Sequence, residues 1–238
     1  MWVSKQRASI TREVGPLDLV LLTKVHSTTG VVCSKYLDGK AETLVAAMES
    51  DVFKHVAVIG DHGSGKMAFV DVLNSKFEGE KSIVVTLEET FDSKNLVGTY
   101  VCNETGDFEF KKGPLTVAAE QGLWLILRNV EQAPPDLLSF LLPLVKDNRL
   151  EISASFSITP KLGFRIVAIC HEDTHGLTGV SPFLSELACV KLEPLEGRED
   201  FKEILSKKFQ TVTSLSWMAD FLLDAHSHLR HQLNSLKG

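Results

Sequence analysis

Cysteine is scarce and scattered in this sequence. Its four copies, Cys33, Cys102, Cys170 and Cys189, form no CxxC pair. That argues against a disulfide scaffold and against a structural zinc knuckle, and it points to a reducing compartment, cytosol or nucleus. Long apolar runs are missing as well. None approaches the ~18 residues that a membrane-spanning helix needs, and the longest near the start, Leu17–Leu22, is interrupted by Asp18. The opening MWVSKQRASITREVG lacks the continuous apolar centre of a secretory leader and carries Glu13. A basic surplus is also absent: 25 Lys and Arg stand against 31 Asp and Glu, for a net charge of −6. A protein that tracks phosphates along a nucleic acid normally carries the opposite balance, so direct nucleic-acid binding is disfavoured beyond a local patch. What remains is ordinary globular material of 238 residues, 44% hydrophobic and 24% charged, without internal repeats or low-complexity tracts. That length supports one large domain with a sizeable core, or a large one and a small one.

The apolar pattern alternates strands with helices. A helical pattern around Ala41–Met48 precedes the strand His55–Ile59, a β-branched run that stops at Gly60. MAFVDVLNSKF reads as a helix with Phe69, Val70, Leu73 and Phe77 on one face, and Ser82–Leu87 as a second buried strand. GTYVCNETGDFEFKKGP reads as an inserted hairpin turning at Thr105–Gly106–Asp107, ahead of a helix Leu115–Glu120. Leu123–Leu127 is a third strand. A helix follows from Ala133-Pro134-Pro135-Asp136 through Val145, which Pro143 should terminate or bend. Glu151–Thr159 reads as a hairpin arm, Phe164–Cys170 as a fourth strand and Ala188–Leu192 as a fifth. From Gly197 the pattern is helical only, over Glu199–Phe209 and Leu215–Leu233, with Trp217, Phe221, Leu222 and Ala225 as the expected lid core. Strands alternating with helices imply βαβ units and a parallel sheet. The expectation is an α/β core over residues 1–196 with a small helical lid over 197–238.

Gly60-Asp61-His62-Gly63-Ser64-Gly65-Lys66-Met67 fits GxxxxGK between a strand and a helix. Such a loop turns backbone N–H groups onto phosphate oxygens, the helix adds its positive N-terminal end, and Lys66 would reach the β- and γ-phosphates. This is a P-loop, and it nominates ATP as a ligand. Met67 stands where a Ser or Thr hydroxyl would ligate Mg²⁺, and a thioether is too soft to replace it. The matching acidic strand end is replaced too, because WLIL runs into Arg128-Asn129. At ~4 Å and an effective dielectric of ~20, a unit charge acts on a divalent ion with on the order of 8 kcal/mol before screening. Arg128 therefore opposes a metal there. Two readings of it stand side by side: a fixed counter-charge near the phosphates, or a surface arginine at a strand end.

The P-loop, the WLIL strand and the blocks around them resemble the AAA+ family, and within it the midasin branch of six-unit nuclear ring proteins that remodel pre-60S ribosomal particles. Carrying the resemblance are Phe91-Asp92-Ser93-Lys94-Asn95-Leu96-Val97-Gly98-Thr99-Tyr100 and Gly106-Asp107-Phe108-Glu109-Phe110, then Lys112-Gly113-Pro114-Leu115-Thr116 with Ala118. Gly122-Leu123-Trp124-Leu125-Ile126-Leu127 and Ala133-Pro134-Pro135-Asp136-Leu137-Leu138 complete the series. In order and spacing these look most like the first AAA+ unit of that branch, over roughly residues 45–210. The resemblance implies a three-layer P-loop NTPase core, partners that are other AAA+ units in a ring, a pre-60S particle or its assembly factors, and a nuclear setting. It also exposes departures. The family's polar sensor falls at Cys170-His171, no arginine lies between Glu172 and Gly197 where the finger would stand, and Arg230 is a candidate for a second sensor. With the acid replaced by Arg128 and Asn129, the resemblance implies a degenerate ATPase that retains ATP binding, with or without Mg²⁺. An ATPase completed by neighbouring subunits and a scaffold that binds no nucleotide are the alternatives. The chain length reads as one ring segment.

Other constellations compete for attention. His171-Glu172-Asp173-Thr174-His175 spells HExxH, but zinc-protease chemistry needs both imidazoles on one helix face, and here the motif follows a strand and enters a glycine-containing loop. A zinc metalloprotease is the remote alternative, and no structural metal is expected. His226, His228 and His231 read as decoration of a solvated helix face. Lys111-Lys112 and Lys207-Lys208 read as solvated lysines, and Phe108 and Phe110 as hairpin residues that pack locally or on a neighbouring unit.

Overall fold

The computed structural model describes residues 34–49, 53–77, 81–104, 106–153, 156–172, 182–194, 197–209 and 216–235. Its first element is α1, Lys35–Glu49, longer than the expected helix. Leu37, Ala41, Leu44 and Met48 recur at three- and four-residue spacing, and all four are buried. After it come β1 (Val56–Gly60), α2 (Lys66–Lys76), β2 (Ser82–Thr86), α3 (Ser93–Val97) and the strands β3 (Gly98–Cys102) and β4 (Phe108–Lys112). Next are α4 (Pro114–Gln121), β5 (Trp124–Arg128), a 3-10 turn at Val130–Gln132, α5 (Pro135–Asp147), β6 (Leu150–Ser153) and β7 (Phe156–Ile158). The described chain closes with β8 (Arg165–His171), β9 (Ala188–Leu192) and the helices α6 (Arg198–Phe209) and α7 (Ser216–Ser235).

Five strands form one parallel sheet in the order β2-β5-β8-β1-β9. Their side chains alternate between two cores, as a pleated strand covered on both faces requires. Ala57, Leu125, Leu127, Ile166 and Ala168 face α3, α4 and α5 through Leu96, Leu115, Ala118, Leu137 and Leu141. Val56, Val58, Ile126, Val167 and Ile169 face α1 and α2 through Leu44, Phe69 and Leu73, with Trp124 sealed on that side. These two packed faces make the three-layer α/β core expected of a P-loop protein. Two antiparallel hairpins lie outside the sheet, β3–β4 and β6–β7.

Two expectations need correction. Pro143 does not end α5, which runs on to Asp147 and stops where Asn148 turns left-handed at φ 52°. Leu137, Leu138, Leu141 and Leu144 are all buried along that helix, and this packing holds the last turn despite the lost N–H. Phe77 is the C-cap residue of α2 and packs against the same core as Phe69, Val70 and Leu73, as its spacing implied. On α7, Phe221 is 62% exposed and Leu222 40%, whereas Leu223 is 5% exposed. The helix thus buries Leu223 in place of Phe221 and Leu222. It lies against α6, where Phe201 meets His226 with ring centroids 5.4 Å apart and Lys202 pairs with Asp220 at 3.3 Å.

Candidate functional site

The carboxyl ends of parallel strands gather at one edge of the sheet, where open α/β folds bind ligands. Register places Gly60 of β1 beside His171 of β8 and beside Leu192 of β9, and Arg128 of β5 beside Ile169. β8 therefore separates the strand that feeds the loop from the strand that ends in Arg128.

The loop needs its glycines for two different reasons. Gly63 and Gly65 sit at φ 80° and 84°, in the left-handed region where side chains are disfavoured. Gly60 is closed in by packing instead: a Cβ there would lie 2.5 Å from the Leu192 carbonyl oxygen and 2.8 Å from Ser64 Oγ. Ser64 N–H donates to the Asp61 carbonyl at 3.2 Å, and Phe69 N–H to the Gly65 carbonyl at 2.9 Å, which starts α2. Ser64 itself is 1% exposed, and its hydroxyl oxygen has no hydrogen-bond partner among the described residues. Lys66 folds back onto the loop, donating its Nζ to the carbonyls of Gly60 and Asp61, each at 2.6 Å. Burial pushes the Lys66 ammonium below its ordinary pKa, opposed by the charges of Glu131 and Asp61 and by Cys170. Amides, a helix start and a held ammonium at one point suit a phosphate chain.

The side of the site that would hold a metal is built differently. Met67 is half-buried on α2 and packs against the core. Arg128 is exposed at the end of β5, its carbonyl accepting from Leu87 N–H at 2.9 Å. Asn129 turns left-handed at φ 57° and reverses the chain into the 3-10 turn. These residues offer a thioether, a guanidinium and an amide, a donor set that does not fit Mg²⁺.

The sequence reading missed Glu131. The left-handed Asn129 swings this carboxylate to the loop edge, where Oε2 accepts from His171 N–H at 3.0 Å and its charge acts on both Lys66 and Cys170. Cys170 is fully buried, and its thiol is pushed up to about 12 by burial first and then by Glu131 and Cys189, so it is no nucleophile. The second missed relation joins the two ends of β1 and β8: the rings of His62 and His171 stack with centroids 3.4 Å apart at 35°. Glu172 N–H donates to the Gly60 carbonyl at 3.3 Å, and its carboxylate pairs closely with Lys191.

Several nominated residues stand elsewhere or outside the described residues. His171 closes a strand and Glu172 is paired with Lys191, so the first half of HExxH lacks the helix that a zinc protease uses. His175, Cys33 and Thr105 lie outside the described residues, as do the side chains of Arg230, His231, Trp217, Lys207 and Lys208. Among the described residues no cluster of three His, Cys, Asp or Glu is arranged to hold a metal, and no helix is long and apolar enough to cross a membrane. His228 Nε2 meets Gln232 Nε2 at 3.1 Å. Lys112 pairs with Glu120, while Phe108 is 75% exposed on the β3–β4 ribbon and Phe110 packs toward the core.

Comparison with known proteins supplies independent findings. The AAA domain of the dynein-related subfamily matches residues 55–187. Midasin of Dictyostelium discoideum is 36% identical over 168 residues, which cover 67% of this chain and 3% of that protein. Midasin of Giardia intestinalis is 36% identical over 136 residues, 56% of this chain and 3% of its own length. The uncharacterized protein YojN of Bacillus subtilis is 28% identical over 158 residues, 64% of this chain and 51% of YojN. Among solved structures, NtrX from Brucella abortus superposes with a TM-score of 0.54 at 17% identity, covering 77% of this chain and 43% of NtrX. NtrX in complex with ADP gives a TM-score of 0.52 at 17% identity, over 76% of this chain and 43% of that one. These two agree in fold.

Proposed function

The chain belongs to the dynein-related subfamily of AAA domains, and on that premise we propose that it is a nucleotide-binding AAA+ module whose hydrolytic site is degenerate. One observation carries this reading: at a single sheet edge the phosphate loop keeps Lys66 held on its own carbonyls, while the strand that should deliver a carboxylate delivers exposed Arg128. Binding and hydrolysis make separate demands. Binding draws on loop amides, helix end and lysine, which are present. Hydrolysis needs a metal shell and a group that orients water, each worth orders of magnitude in rate. The residues at the metal side do not fit that role.

The site residues in this reading are Gly60 through Met67, with Lys66 on the phosphates. Residues 1–196 form the nucleotide-type core and 197–238 the lid. The similarity to two midasins supports a place in a ring with other AAA+ units, in nuclear remodelling of pre-60S particles. A module of this kind contributes shape and nucleotide-dependent rigidity while neighbouring units turn over.

Glu131 favours a second reading. A carboxylate bonded to the backbone at the end of β8, and acting on Lys66, stands close enough to the loop to support slow hydrolysis if a neighbouring unit supplies the finger. Thermal shift with ATP and a phosphate-release assay separate the two. The degenerate reading expects stabilisation by ATP that Lys66→Ala abolishes, with no release above background. Steady release lost in both Lys66→Ala and Glu131→Gln overturns it.

A further inference from the structure

The site lacks a fitting metal shell, yet a nucleotide tail brings several negative charges, and a counter-charge must come from somewhere. The loop itself carries His62, and β8 ends at His171 one strand away. The two rings lie face to face, centroids 3.4 Å apart and 35° from parallel. His62 is exposed and His171 half-buried, so a phosphate entering the loop meets this pair at the mouth. His171 is fixed from behind, since its N–H donates to Glu131 Oε2 at 3.0 Å and its strand is in register with Gly60.

We propose that His62 and His171 replace magnesium as the counter-charge for the phosphate tail, so that the preferred ligand of this site is a metal-free nucleoside di- or triphosphate bound with uptake of protons. The inference rests on the nucleotide-binding reading above. Imidazole is the side chain whose charge changes between about pH 5 and 8. Two imidazolium rings stacked on one another repel, whereas an anion beside them favours the charged form of either. By linkage, whatever favours protonation of the pair when phosphate is present must make phosphate bind more tightly as protons become available.

Charged groups adjoin the pair along the chain and across the strand register. Asp61 and Lys66 lie on the loop, Glu131 on the turn after β5, Arg128 at the end of that strand, and Glu172 after β8, paired with Lys191 of β9. Cys170 stays a neutral thiol.

The test is a calorimetric titration of the full chain with ATP in EDTA, at pH 6 and pH 8, in two buffers of different ionisation enthalpy. Wild type is compared with His62→Gln, His171→Gln and the double variant. Titration of ATP's own phosphate is common to all four and cancels in the comparison. Wild type should gain about tenfold in affinity from pH 8 to pH 6 beyond the gain of the double variant, the equivalent of one linked pKa unit, and should take up more protons on binding. Equal pH dependence and equal proton uptake in wild type and double variant, with both binding ATP, overturn the inference and leave the nucleotide-binding reading standing. No binding by wild type at either pH overturns both. Should His171→Gln fail to fold, as thermal unfolding would reveal, His62→Gln on the exposed loop carries the same comparison.

Discussion

The two ends of β1 both carry a histidine, and the environments are opposite. His55, just before the strand, is 2% exposed and accepts Ile166 N–H through Nδ1 at 3.0 Å. Phe164 meets its ring edge-on, centroids 6.0 Å apart. Burial, reinforced by Arg165 and Lys54, lowers its pKa from 6.5 to about 4. His62, just past the strand, is exposed in a glycine loop and stacks on His171. At the first end a neutral ring ties two strands together inside a sealed layer. At the second, polar groups gather where an anion can reach them. One five-residue strand thus links a structural end and a chemical end, and changes at the two ends should have separable effects.

The largest expected effect is at the chemical end. Lys66→Ala should weaken ATP binding by roughly 100-fold or more, because a charge-assisted contact to phosphate is lost. Thermal unfolding without nucleotide should change little, and a large loss of stability there would blur the distinction between the ends.

Next is the structural end. The unfolded chain protonates His55 below about pH 6.5, while the folded chain resists until about pH 4, so the unfolded state binds more protons across that window. Stability is therefore fully present above about pH 6.5 and falls by about 3 kcal/mol as pH drops toward 4. His55→Gln, whose amide oxygen can accept the Ile166 N–H, should flatten that slope in denaturant titrations and leave ATP affinity at pH 8 unchanged.

A smaller effect tests the metal side of the proposed site. Restoring its chemistry with Met67→Thr and Arg128→Asp together should make ATP binding Mg²⁺-dependent by about tenfold in calorimetry. Absence of any Mg²⁺ response in that double variant would mean that the metal side lost more than its ligands. The smallest expected change is remote from both ends. Lys112→Ala, which removes the exposed pair with Glu120 at 2.6 Å, should cost about 0.5 kcal/mol in denaturant unfolding and leave binding untouched.

Much of this was legible in the sequence, for physical reasons. Strands such as VAVIG and WLILR are short apolar runs bounded by turn residues, and a parallel sheet buried on both faces writes itself that way. The loop was legible because glycines at positive φ and a lysine at fixed spacing have few other uses. Features set by a single local interaction were hidden. The five-residue α3 depends on Asp92, whose side chain accepts Lys94 N–H at 3.0 Å. Glu131 reaches the loop only because Asn129 turns left-handed, so its neighbours in sequence did not place it. The His62–His171 stack joins residues more than a hundred positions apart, and only the register of β1 on β8 brings them together. On α7, apolar neighbours Phe221, Leu222 and Leu223 stand side by side, so spacing alone did not single out Leu223 as the buried one.

The central claim is that the phosphate side of the site works without the metal side. Measuring the affinity of wild-type protein for ATP in EDTA and again in excess Mg²⁺, with phosphate release followed in the same samples, tests it most directly. Measurable binding in EDTA, little or no gain from Mg²⁺, and release at background are expected. Binding that requires Mg²⁺, accompanied by steady phosphate release, would contradict it.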